Sequence, residues 1–231
     1  PVSSRDFRAP FRALVTARKP EGVYLQADAG AAVVLDPDTG EIVALAEERG
    51  LIIPLGEWVL RRACSQAADW HRLGAGTPLA ISVNLSAHQL RHPGLVASVR
   101  RALAETGLPP SALCLEITES AALDGGETTL NTLRALKELG VRLALDDFGT
   151  GYSALGYLPR LAVDALKVDR VFVTDADHDP RILSVVRAIT AMAHALGMDV
   201  TAEGIETASQ LATVRAVQCD WAQGYYFSQP V

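Results

Sequence analysis

From Leu79 onward the chain alternates short apolar runs with longer amphipathic ones. The runs Leu79–Leu85, Leu113–Thr118, Val141–Asp147, Val163–Asp169, Met198–Glu203 and Trp221–Phe227 read as strands. Val23–Gln26 and Ala31–Leu35 are two earlier candidates. Between them, Ile182, Val185, Val186, Ile189, Ala193 and Leu196 follow a helical stripe, opened by Asp179-Pro180 and closed by Gly197. Leu130, Leu133, Leu136 and Leu139 do the same before Gly140, and Ser86/Gln89 and Thr207/Gln210 have capping-box spacing. Alternating strands and helices with near-continuous apolar strands imply a parallel sheet covered by helices. About eight such units predict an α/β fold closed into a TIM-like (β/α)8 barrel, with an open doubly wound sheet as the main alternative. No internal repeat or linker interrupts residues 1–231, which read as a single domain whose first two strands, within about 23–45, are shortened.

Composition narrows the partners. The chain has 21 Lys+Arg against 27 Asp+Glu, a net charge of −6, which argues against duplex nucleic acid. A small phosphorylated ligand fits if metal ions supply positive charge. Cys64, Cys114 and Cys219 are far apart, odd in number and form no C-x-x-C pair, so they read as reduced, packed thiols. No apolar run approaches membrane-spanning length and no signal-peptide core opens the chain. A cytoplasmic domain making no membrane contact of its own is expected, within a parent protein that could itself be membrane-anchored.

The chemistry gathers at one end of the strands. Asn84, Glu116, Glu119, Asp146, Asp147, Lys167, Asp169, Glu203, Glu206 and Gln223 all fall at or just after strand ends. In a parallel barrel those ends share one face. A lone strand-end acid is best read as a cap for the next helix, but a rim of several acids, an amide and a lysine is not. Adjacent Asp146 and Asp147 repel unless a cation neutralises them. Oxygen-rich ligation points to Mg²⁺ or Mn²⁺, and paired divalent ions suit phosphodiester hydrolysis. Gly149-Thr150-Gly151 with Ala154 matches a dinucleotide fingerprint, yet Asp146 and Asp147 would repel the pyrophosphate, so it reads as chance. His88 and His92 read as loop or helix-end residues, Trp58 and Trp70 as helix packing, and Trp221 as barrel packing.

From about Ala46 onward the motifs resemble the EAL family of bacterial cyclic-di-GMP phosphodiesterases. The residues that carry the resemblance are Leu45-Ala46-Glu47-Glu48-Arg49-Gly50-Leu51-Ile52, Val83-Asn84-Leu85-Ser86, Leu115-Glu116-Ile117-Thr118-Glu119-Ser120 and Asp146-Asp147-Phe148-Gly149-Thr150-Gly151-Tyr152-Ser153. Leu166-Lys167-Val168-Asp169, Ala202-Glu203-Gly204-Ile205-Glu206-Thr207 and Gln223-Gly224-Tyr225 complete the set.

The resemblance implies a TIM-like barrel that opens cyclic di-GMP to linear pGpG with Mg²⁺ or Mn²⁺. It implies Asn84, Glu116 and Asp146 as ligands of one metal, and Asp146, Asp147 and Glu203 as ligands of a second. Lys167 then orients the attacking water, Glu119 holds the Asp147–Ser153 loop, and Glu206 supports the lysine and the metals. Gln223, Asp169 and the early Gln26 fall to ligand binding. Fusion to sensor or diguanylate-cyclase-like domains is also implied, and a homodimer is compatible with it. One departure stands out. The family is named for a Glu-Ala-Leu strand whose Glu ligates metal, and here Asp28–Pro37 contains no Glu and lacks the arginine that follows it. Two readings stay open: a degenerate domain that binds nucleotide without cleaving it, or a chain lacking segments around its first two strands. As a rim residue, Lys167 is expected to contribute little to the core.

Overall fold

The computed structural model describes residues 46–47, 49–72, 79–149 and 156–228, together with the backbone of 12–13, 23–26 and 32–35. Its centre is a parallel sheet of seven strands. In spatial order these are β1 (Arg12–Ala13), β9 (Trp221–Ala222), β8 (Asp199–Ala202), β7 (Ala165–Val168), β6 (Arg142–Phe148), β5 (Leu113–Thr118) and β4 (Ile81–Leu85). From β4 to β9 each strand lies beside the next in sequence, as successive strand–helix units require. The chain has the TIM-barrel-like fold that its pattern predicts.

The inner strands explain their own apolar sequences. All four residues of β7 are buried, as are Leu143–Asp146 of β6 and Leu115–Ile117 of β5, because these strands are covered on both faces. β4 instead alternates, with Val83 and Leu85 buried and Ser82 and Asn84 exposed. Val23–Gln26 (β2) and Ala32–Leu35 (β3) are strands as expected, but they pair with each other, antiparallel, in a separate two-stranded sheet. They do not join the parallel sheet.

Helices cover the sheet where their periodicity places them: α1 (Ile52–Arg72), α2 (Ala87–Arg91), α3 (Leu95–Thr106), α4 (Glu119–Asp124), α5 (Gly126–Glu138), α6 (Arg170–Ala176), α7 (Pro180–Ala195) and α8 (Ala208–Ala216). Both capping boxes form. Ser86 and Thr207 accept from the backbone N–H of Gln89 and Gln210, whose side chains reach back to the cap. Asp179 caps α7 with Pro180 at its first position. Leu113, Leu115, Leu143, Leu145, Leu166 and Ile205 are among the largest fully buried side chains. Cys64 and Cys219 are buried and Cys114 half-buried, all as free thiols.

Trp221–Phe227 was expected to be one strand, but β9 stops at Ala222. Beyond it the chain packs tightly on the Ile205 backbone, and a Cβ at Gly224 would lie 2.2 Å from the Ile205 carbonyl oxygen. The chain turns there, and Phe227 N–H donates back to the Gly224 carbonyl. Trp58 is 37% exposed, so it packs less than expected, whereas Trp70 lies against the core.

Candidate active site at the carboxyl ends of the strands

Register brings the site together. Asn84 on β4 is opposite Glu116 on β5, and Thr118 is opposite Asp146 on β6. Lys167 on β7 is opposite Thr201, two residues before Glu203. Glu203 N–H donates to the Val168 carbonyl and Gln223 N–H to the Ala202 carbonyl, so Glu203 and Gln223 sit at neighbouring strand ends.

Adjacent residues of a regular strand point to opposite faces, so Asp146 and Asp147 would not normally serve one site. β6 breaks the rule. Against β7 its register shifts between Leu145 and Phe148: Leu145 is opposite Leu166, but Phe148 is opposite Val168. The extra residue is a bulge, a device that re-aims side chains at barrel rims. Asp147 takes φ +54°, a left-handed conformation unusual for a residue other than Gly. Its N–H donates to Asp146 Oδ1 at 3.1 Å. One carboxylate oxygen from each of Asp146, Asp147 and Glu203 thereby comes within 4.8 Å of the others, a cluster able to coordinate a divalent cation.

Lys167 sits beneath this cluster and is 5% exposed. Its Nζ lies 2.7 Å from Glu116 Oε2, 2.9 Å from Asp146 Oδ1 and 2.7 Å from Glu203 Oε1. Glu116 accepts a hydrogen bond from it, and Asp146 and Glu203 pair with it as ions. The expectation that Lys167 contributes little to the core is therefore corrected: it is a buried counter-ion. Burial works against its charge, but Glu116, Glu203 and Asp146 together hold it protonated well above the ordinary lysine range. Burial pushes the Glu203 carboxyl up to about 7, with Lys167 opposing that rise and Asp146 adding to it. Burial, then the charges of Asp146 and Asp169, raise Asp147 as well.

The other predicted residues divide. Glu119, 3% exposed, accepts from Gly149 N–H at 3.1 Å, tying the start of α4 to the turn after β6. Asp169 caps α6 by accepting from Val171 N–H at 2.8 Å. Glu206 is exposed and is not among the ion-pair partners of Lys167; its backbone N–H donates to Gln210 Oε1. Gln223 is half-buried. Gln26 lies on β2, where only the backbone is described, and residues 150–155 lie outside the described residues. His88 pairs with Glu47 at 3.1 Å, and His92 accepts from Gly94 N–H at the end of α2. Sequence reasoning missed the burial of Lys167 and the bulge. The only available signal was a lysine inside an apolar strand.

The EAL-domain model matches residues 8–230, reaching further toward the N-terminus than the motifs do. The cyclic di-GMP phosphodiesterase NbdA of Pseudomonas aeruginosa is 47% identical over 177 residues, which make up 77% of this chain and 22% of that protein. The chain spans 21% to 28% of the length of the curated relatives it matches. Among solved structures, the PaMucR phosphodiesterase in complex with c-di-GMP superposes with a TM-score of 0.79 at 41% identity, covering 87% of this chain and 83% of that one. The EAL domain of Mycobacterium smegmatis DcpA gives 0.74 at 44% identity, covering 78% and 81%. Fold, motifs and relatives agree: this chain belongs to the EAL-domain family.

Proposed function

We propose that residues 1–231 form one domain that binds cyclic di-GMP over the carboxyl ends of its strands, with a divalent cation on Asp146, Asp147 and Glu203, and that it cleaves the ligand to linear pGpG slowly or not at all. The observation that carries this reading is the convergence of those three carboxylates on one small volume, which the bulge in β6 produces. Relatives described as a cyclic di-GMP phosphodiesterase and as a c-di-GMP complex support the choice of ligand. The donor set is all oxygen and fits Mg²⁺ or Mn²⁺. When bound, such an ion supplies Lewis acidity and offsets charge developing on the phosphate.

The remaining roles belong to side chains. Lys167 holds Glu116, Asp146 and Glu203 in place. Glu119 anchors the turn at Gly149 beside Asp147. Gln223 is the proposed polar contact to the nucleotide. Two features favour slow turnover. The chain contains no Glu-Ala-Leu, so the first of the two metal sets, Asn84, Glu116 and Asp146, is one acid short. Lys167 is also crowded by three carboxylates, one of them hydrogen-bonded to its Nζ, and these compete with a water for its charge. A misplacement of about 1 Å can cost on the order of a hundredfold in rate.

Equilibrium binding of cyclic di-GMP, pGpG and GMP, with chromatographic detection of pGpG in Mn²⁺, tests the proposal. The expected result is preferential binding of cyclic di-GMP with little conversion. Equal binding of all three would remove the ligand assignment, and rapid conversion would overturn the claim of slow turnover.

A further inference from the structure

The proposed ligand carries two phosphodiester charges, and the rim that would receive it is short of positive charge. Glu116, Asp146, Asp147 and Glu203 crowd round Lys167, which forms ion pairs with three of them. A single divalent ion would still leave the carboxylates in excess before a dianion arrives. Nearby, β7 leads through Asp169 into α6, whose first residue is Arg170. This side chain is exposed, and among the described residues no carboxylate pairs with it.

Its stem is nevertheless fixed. A Cβ placed on Gly204 would lie 2.3 Å from Arg170 Cβ, 3.2 Å from its Cα and 3.6 Å from its Cγ. Gly204, at φ +69°, follows Glu203 directly. The first carbons of Arg170 therefore run along the backbone next to a carboxylate of the cation cluster, and only Gly at 204 leaves room for them. A guanidinium rooted there has a short reach to the rim and, among the described residues, no carboxylate to give up. It also offers the planar pair of N–H donors that phosphate oxygens accept.

We infer that Arg170 is the phosphate-binding cation of this site, contacting a phosphodiester group of the nucleotide while its stem stays seated on Gly204. The inference rests on the cyclic di-GMP reading given above. Arg170→Gln is the informative variant, because it keeps the stem and removes the charge. Affinity for cyclic di-GMP in saturating Mn²⁺ should fall at least tenfold, and its dependence on salt between 50 and 200 mM should become shallower. Arg170→Lys should recover part of the loss. Mn²⁺ affinity without nucleotide should stay within twofold. As a control, Arg142→Gln removes the same charge where β6 begins, at the opposite end of the barrel, and should change nucleotide affinity less than twofold. Should Arg170→Gln bind as wild type does, Arg170 is a solvated helix-end residue and the inference is wrong. Wild type that fails to bind cyclic di-GMP would defeat the functional reading as well, so the two failures are distinguishable.

Discussion

The two ends of the barrel handle charge in opposite ways. Where the strands begin, Asp164, Asp199 and Asp220 each have their own basic partner. Asp164 takes Lys137 Nζ at 2.6 Å and the Leu143 N–H at 2.8 Å. Asp199 takes Arg142 at 2.5 Å, and Asp220 takes His194 and the Val200 N–H, each at 2.8 Å. These pairs are partly exposed and one to one, an arrangement suited to holding strand starts together. Where the strands end, one buried lysine is shared among Glu116, Asp146 and Glu203, with Asp147 held close by a strained backbone. Excess carboxylate in a buried setting costs stability, and three of these carboxylates lie close enough together that they could hold a divalent cation. The difference separates an end whose charges are paired one to one from an end whose carboxylates outnumber their cation and could hold a metal ion.

Charge removal at either end should break this comparison apart, with the largest effect at the rim. Lys167→Ala leaves three buried or nearly buried carboxylates without their counter-ion and should cost about 3–5 kcal/mol at neutral pH without metal. Urea unfolding at pH 7.5 measures it, and the loss should shrink toward pH 5 as Glu203 takes up a proton. A loss under about 1 kcal/mol would mean that the triple pairing contributes little.

At the other end, Asp164→Asn keeps an acceptor but loses the charge that Lys137 and the Leu143 N–H share. It should cost about 1–2 kcal/mol and leave cyclic di-GMP affinity unchanged. An affinity change would mean that the two ends are coupled.

The smallest effect is a pH dependence. Glu203 holds its proton more tightly in the fold, up to about 7, than an ordinary glutamate does at 4.5. The metal-free fold should therefore lose stability as pH rises from about 4.5 through about 7. Divalent ions need the ionised form, so their affinity should rise over the upper part of that interval. Thermal unfolding with and without Mn²⁺ between pH 5 and 8 tests both signs, and a metal-free stability that is flat or rising across the interval would count against them.

Much of this architecture was legible in the sequence because burial leaves plain marks. β5, β6 and β7 are covered on both faces and so read as near-continuous apolar runs. The ends of α7 and α8 were marked by Asp179-Pro180 and by the Thr207/Gln210 capping box. The site was legible as a set of residues but not as a geometry. Nothing in Leu145-Asp146-Asp147-Phe148 announces a bulge, since an inserted residue is defined only against the register of β7. Lys167 looked like a rim residue because its burial depends on Glu116 and Glu203, which are far from it in sequence. Arg170 drew no notice because its contact with Gly204 crosses between neighbouring strand ends.

The central claim is that the carboxylates at the strand ends, and not those at the strand starts, form the cation site. Calorimetric titration of Mn²⁺ into wild type, Asp146→Asn and Asp164→Asn compares the same chemical change at the two ends. The account predicts at least tenfold weaker binding for Asp146→Asn and wild-type binding for Asp164→Asn. Equal binding by all three proteins would contradict it.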